Sequence, residues 1–166
     1  MLSFWNYIIW CANGFKTFFK NTYRLKINLS LTHSNMKGYK GDIEKLTLEN
    51  MNFRKVLYTG KYLQLVLMSL QVGEEIGMEV HLNNDQFFRF ESGSGKCIID
   101  ANEYDVKEGD VIVVPAGAKH NVVNTGNGAF KMYTIYGPPN HQDGIIRATK
   151  ELAESEKEKF DGKTSE

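Results

Sequence analysis

The chain has 166 residues, 42% of them hydrophobic and 24% charged, which is long enough to bury one sizeable core and predicts a single domain with tails. Twenty Lys plus Arg balance twenty Asp plus Glu, so no global field favours a nucleic acid or an anionic membrane surface as partner. Cys11 and Cys97 are the only cysteines and form no CxxC pair, which argues against a disulfide framework or a thiolate zinc site and suits a reducing, cytoplasmic setting.

The opening segment MLSFWNYIIWCANG is apolar, but its run of about ten residues is far below the roughly twenty that span a bilayer, so no transmembrane helix is predicted. Lys16, Lys20, Arg24 and Lys26 precede the first acidic residue, Asp42, yet the basic stretch that should lead a signal segment is missing before the apolar run. Residues 1–35 therefore read as an extension, a leader or a misassigned start with Met36 as the true one.

From Phe53 the chain turns into short apolar or alternating runs at 53–59, 62–72, 77–82, 85–91, 96–100, 103–107, 110–115, 118–124 and 129–136. The breaks between them carry Gly, Pro, Asn or Asp at 92–95, 100–102, 107–110, 115–117 and 124–128, where hairpins need positive or preset φ. A turn about every eight to twelve residues leaves no room for crossover helices and predicts an all-β sandwich or barrel. The double proline in GPPNHQDG at 137–144 removes two backbone donors and ends the predicted barrel. The following IIRATKELAESEKEKF has helix-forming composition with few apolar positions, so a short, solvated, fraying helix is predicted there. The predicted organisation is an extension over 1–35, a barrel over 36–140 and a partly helical tail over 141–166.

Chemistry concentrates in two places. Glu79 and His81 are two apart on one strand and point to the same side, so a carboxylate and an imidazole can converge on one ion. In DQFFRFE, alternation sets Gln86 with Phe88 and Phe90 on an interior-looking face and Asp85 with Phe87, Arg89 and Glu91 on the other; Gln86 is favoured over Asp85 as a third donor. His120 shares a face with Ala118, Val122 and Asn124 and also points inward. Two imidazoles, a carboxylate and an amide oxygen suit one divalent ion such as Mn, Fe, Co, Ni or Zn with positions left open. Taken alone, the strand GMEVHL also reads the other way, with Met78, Val80 and Leu82 as core and the donors in solvent. If the donors face inward, that stripe must be covered by N-terminal strands or a second subunit, and a homodimer is the simplest arrangement.

Other residues receive plainer readings. Phe88 and Phe90 are core; Tyr133 and Tyr136 pack with their hydroxyls exposed; Glu74 and Glu75 are solvated; His141 is a surface loop histidine. Cys97 lies in a strand without an identifiable partner, and no nucleophile triad is present.

The two clusters resemble the paired motifs of the cupin superfamily, G-x5-H-x-H-x(3,4)-E-x6-G and G-x5-P-x-G-x2-H-x3-N. Gly109, Pro115, Gly117, His120 and Asn124 match every defined position of the second. In the first, Gly73, His81 and Gly93 fit, whereas Glu79 stands where the first histidine usually is and Gln86 where the glutamate usually is. The resemblance implies a cupin double-stranded β-helix, or jelly-roll barrel, with Glu79, His81, Gln86 and His120 as metal ligands. GEEIGMEVH, DQFFRFESGSGK and YTIYGPP look like small single-domain cupins described as mannose-6-phosphate-isomerase-like. It implies a small polar ligand such as a sugar or carboxylate. It also leaves open a metal-dependent enzyme of isomerase or dioxygenase type and a binding module without turnover.

Overall fold

The computed structural model describes residues 35–166, so the reading of the first 34 residues lies outside it. In chain order the elements are α1 (Ile43–Glu49), β1 (Arg54–Thr59), β2 (Gln64–Leu70), β3 (Glu79–Val80), β4 (Asp85–Ser92), β5 (Ser94–Ile99), β6 (Asn102–Lys107), β7 (Val111–Val114), β8 (Lys119–Val123), β9 (Phe130–Gly137), β10 (Ile146–Arg147) and α2 (Lys150–Ser155). The strands form two antiparallel sheets, one in the order β10-β1-β2-β9-β4-β7 and the other β3-β8-β5-β6. This is the all-β architecture that the turn spacing predicts.

Alternation decides what each strand gives to the core. Along β9, Phe130, Met132, Thr134 and Tyr136 are buried and the residues between them are not. Its neighbour β4 buries Gln86, Phe88 and Phe90 in the same way. The ring of Phe90 stacks on Phe130 at 4.8 Å and lies parallel to Phe88 at 6.3 Å. Cys97, Val106 and Val122 close the core from the second sheet. Full burial of each large apolar side chain contributes about 1.5–3 kcal/mol relative to exposure. The β4–β5 connection needs Gly93: its φ is +85°, and a Cβ there would stand 2.7 Å from the Ala129 carbonyl oxygen.

Three features depart from the sequence reading. Helix α1 was not foreseen; it is seven residues long, is capped by the Asp42 side chain accepting from Lys45 N, and buries only Thr47, too little for a period to emerge. The sheet also resumes after the double proline, because β10 pairs with β1 through Arg54↔Arg147 and Lys55↔Ile146. The predicted tail helix shortens to α2, six residues that begin at the Thr149 cap and bury Ala153. The rest of the tail is tied down: Phe160 N donates to Asn140 O at 2.9 Å and Ser165 N to Thr59 O at 2.9 Å. No helix among the described residues is long and apolar enough to cross a membrane.

Candidate metal centre

The β3–β8 pairing sets Glu79 directly opposite His120, and His120 faces Ile99 of β5 on its other side. Past Val80 the strand ends, and the backbone of His81 is caught by the turn that precedes β8: Gly117 N donates to His81 O at 2.8 Å. Gly117 has φ +86° and follows Pro115, whose carbonyl accepts from Ala118 N at 3.1 Å. One proline–glycine turn therefore fixes both histidines, which is the physical content of the P-x-G-x2-H spacing. Gln86 comes from the opposite sheet and is buried; Asp85 is exposed, and its Oδ1 accepts from Ala116 N at 2.9 Å, bracing the same turn from outside.

One donor atom each from Glu79, His81 and His120 lies within 4.8 Å of the others. Glu79 Oε2 is 3.3 Å from His81 Nε2, and Gln86 Oε1 is 3.0 Å from His120 Nε2. Ligand atoms held about 2.1 Å from a common ion at right-angled to tetrahedral spacing stand about 3.0–3.4 Å apart, which matches both pairs. The second pair is also awkward without an ion in one tautomer of His120. His81 Nε2 is buried, and Glu79 Oε2 at 3.3 Å is its nearest polar neighbour. His120 Nδ1 is 3.2 Å from Ala118 O, while its Nε2 faces Gln86 Oε1. A neutral imidazole has one N–H; if Nδ1 donates it to Ala118, two lone pairs meet between Nε2 and Gln86. As placed, the amide donates from Gln86 Nε2 to Thr134 Oγ1, 3.1 Å away.

The charge states agree with a metal. Burial lowers the His120 pKa, with the neighbouring His81 acting in the same direction, so the ring is neutral. Burial works to raise Glu79, but the adjoining His81, Arg54 and His120 together outweigh it and hold the carboxyl below its ordinary value. An ionised carboxylate and a neutral imidazole are the forms that ligate. The donor set thus fits a borderline divalent ion.

Residues 66–136 match the cupin domain family. The chain is 44% identical to YrkC of Bacillus subtilis over 129 residues, spanning 74% of this chain and 69% of that one. It is 41% identical to the crystal structure of BH2720 from Bacillus halodurans, with a TM-score of 0.71 over 74% of this chain and 97% of that one. The chain belongs to the cupin family. A second relative by sequence is L612 of Acanthamoeba polyphaga mimivirus, 39% identical over 112 residues that make up 65% of this chain and 70% of that one.

Around the four donors this cupin carries groups that the sequence reading passed over. A cavity of about 700 Å³ opens beside Glu79 and His81 and is lined on its far side by the tail. Arg54 of β1 is buried there, with Nη2 4.0 Å from Glu79 Oε1. His141 is not a surface residue: it is 4% exposed, its ring meets Tyr136 edge-on at 5.1 Å, and its Nδ1 is 3.1 Å from Glu158 Oε1. Nor is the Tyr136 hydroxyl exposed. The side chain is fully buried at 5.6 Å from the His81 ring, and burial, with the charge of Glu79, pushes its phenol well up. Tyr133 instead packs on Phe87 on the other face of the sheet, at 6.2 Å. Glu75 is partly buried, accepts from Asn121 and pairs with Lys150. Arg54 had a legible signal, an inward register with Val56 on β1; Glu158 had none, lying in a mixed charge run.

Proposed function

We propose that this cupin binds one divalent ion, of the Mn, Fe, Co, Ni or Zn group, through Glu79, His81, Gln86 and His120, and that a small polar molecule such as a sugar or carboxylate binds in the adjoining cavity. The observation that carries the reading is the convergence of one donor atom each from Glu79, His81 and His120 within 4.8 Å, with Gln86 Oε1 3.0 Å from His120 Nε2. A bound divalent ion supplies a Lewis acid that polarises an oxygen of the ligand.

The chain's own residues do the rest. Ala118 O and Thr134 Oγ1 hold the His120 ring and the Gln86 amide in place from outside the site. Tyr136 and Phe88 exclude water from the buried side of the site. Tyr136, kept neutral by burial, is a hydrogen-bond donor rather than a base, and His141, whose pKa burial lowers, is a neutral imidazole able to accept a proton. Those two groups favour an enzyme of isomerase or dioxygenase type over a passive binding module.

The same reading includes a homodimer. Val80 and Leu82 face outward on and beside β3, at the edge of its sheet, and are 48% and 76% exposed, with Met78 half-exposed at the edge of the cavity. Elemental analysis of the purified full chain beside Glu79→Ala and His120→Ala tests the metal site. One ion per chain in the parent and its loss from both variants is the expected result; stoichiometric metal in both variants would sink the assignment.

A further inference from the structure

Glu158 belongs to a segment of the tail without regular structure, yet its side chain is 5% exposed. Three donors converge on it. His141 Nδ1 is 3.1 Å and Arg54 Nη1 3.4 Å from its Oε1, and Arg147 Nη2 is 3.5 Å from its Oε2. All three contacts are longer than the roughly 2.7–2.9 Å of a good charge-assisted bond. The Nε atoms of Arg54 and Arg147 are both buried with no hydrogen-bond partner among the described residues. The pocket is thus built for a carboxylate, and Glu158 fills it loosely.

This pocket adjoins the proposed metal. Arg54 reaches Glu158 with one nitrogen and Glu79 with another, and Arg54, Glu79, His81, His141 and Glu158 line the same cavity. Lys150, Lys157 and Lys159 line it too. With Arg54, these cations match the carboxylates Glu79, Glu154 and Glu158 of the lining together with Glu75, which pairs with Lys150, so a divalent ion on Glu79 would tip the cavity toward an anion. Guanidinium groups suit a carboxylate because their N–H groups are arranged as a fork that meets both oxygens.

We infer that Arg54, His141 and Arg147 form a carboxylate-binding subsite beside the metal, that the ligand of this cupin carries a carboxylate, and that Glu158 is an internal stand-in which the ligand displaces. The ligand's position rests on the proposed metal site; the receptor does not. Because Phe160 and Ser165 stay anchored to Asn140 and Thr59, the exchange needs only the segment around Glu158 to swing out.

Acetate is the fragment that Glu158→Ala removes, so it is the probe. In the full-length Glu158→Ala protein, 100 mM sodium acetate is expected to raise Tm by about 3–6 °C, whereas acetamide or sodium chloride at equal ionic strength leaves it unchanged. Adding Arg54→Met abolishes the response. In the parent protein, acetate is expected to speed trypsin cleavage after Lys157 and Lys159 several-fold, read by mass spectrometry; this arm decides if the alanine variant does not fold. An acetate effect no larger than that of chloride, or unchanged cleavage in the parent, overturns the inference. Elemental analysis on the same samples separates the two readings: metal without an acetate response refutes the subsite alone, and an acetate response without metal refutes the metal centre alone.

Discussion

Thr134→Val tests how Gln86 is held. Thr134 is fully buried on β9, between Val66 and Phe88 in register, and its hydroxyl accepts from Gln86 Nε2 at 3.1 Å. Valine keeps the shape and removes the acceptor, leaving a buried amide N–H unpaired at a cost of about 1–3 kcal/mol. The amide has one escape, which is to turn over and donate to His120 Nε2, now 3.0 Å from its oxygen. That relieves the metal-free protein but replaces a donor oxygen with an N–H2 group. The expected result is a stability loss at the low end of that range, read by urea unfolding of metal-free protein. Metal affinity, read by competition with a chelator, falls about 10–100-fold, the usual effect of removing an outer partner of a ligand. Thr134→Ser keeps the hydroxyl, gives up about 1 kcal/mol of packing and holds metal like the parent. If the valine variant binds metal as tightly as the parent, or the serine variant loses as much as the valine one, Gln86 is not held as a ligand by Thr134.

Other substitutions probe the remaining steps. Asp85→Asn keeps an acceptor for Ala116 N and should leave metal content unchanged, whereas Gln86→Leu should reduce it; the reverse pattern in elemental analysis would move the ligand to Asp85. Gly95→Ala, whose added Cβ would meet the Val123 carbonyl oxygen at 2.2 Å and the Phe130 ring at 2.7 Å, should lower unfolding stability by about 3 kcal/mol, and a change within 0.5 kcal/mol would contradict this packing. Burial pushes the Cys97 thiol up to about 11, so in Cys11→Ser protein no thiol should react with an aromatic disulfide at pH 8 until denaturant is added; rapid labelling of folded protein would show that the strand opens. Leu82→Glu places a charge on the exposed stripe beside β3 and should shift the sedimenting species from dimer to monomer, and a parent that already sediments as a monomer refutes the homodimer.

What the sequence made legible follows from where one face of a strand is wet. On β4 and β9 alternation separates buried from half-exposed residues, and Gln86 could be set inward and Asp85 outward by counting alone. On β3 it could not, because the exposed face is the apolar one: Val80 and Leu82 face out, while Glu79 and His81 line the cavity and the half-exposed Met78 stands at its edge. Only the partner strand β8, with His120 opposite Glu79, decides which way that strand is turned, and pairing is not a local property. The tail was opaque for a different reason. A six-residue helix and a two-residue strand carry too few residues to show any period, and Glu158 looks like its solvated neighbours Glu156 and Lys157 until Arg54, 104 positions earlier in the chain, is brought against it.

The exchange of donor types between the two motif positions gains a physical meaning from these contacts. A histidine at position 79 could offer an ion one nitrogen and then present only its other ring nitrogen to its surroundings. Glu79 has two oxygens, and they are divided: Oε2 lies on the His81 side, and Oε1 is 4.0 Å from Arg54. Arg54 in turn reaches Glu158, so a chain of alternating charge runs from the metal donors into the cavity and ends at the tail. Moving the carboxylate to this edge of the site places it next to the arginine, while the neutral amide of Gln86 takes the place deep between the sheets, where it meets Thr134, His120 and its neighbour across the sheet, Tyr136. A carboxylate in that inner position would be a buried charge with only neutral partners, two hydroxyls and an imidazole, which costs more than a buried amide whenever the ion is absent. The observed arrangement therefore avoids that cost and leaves the carboxylate of the candidate site in contact with Arg54, the group that would read an anionic ligand.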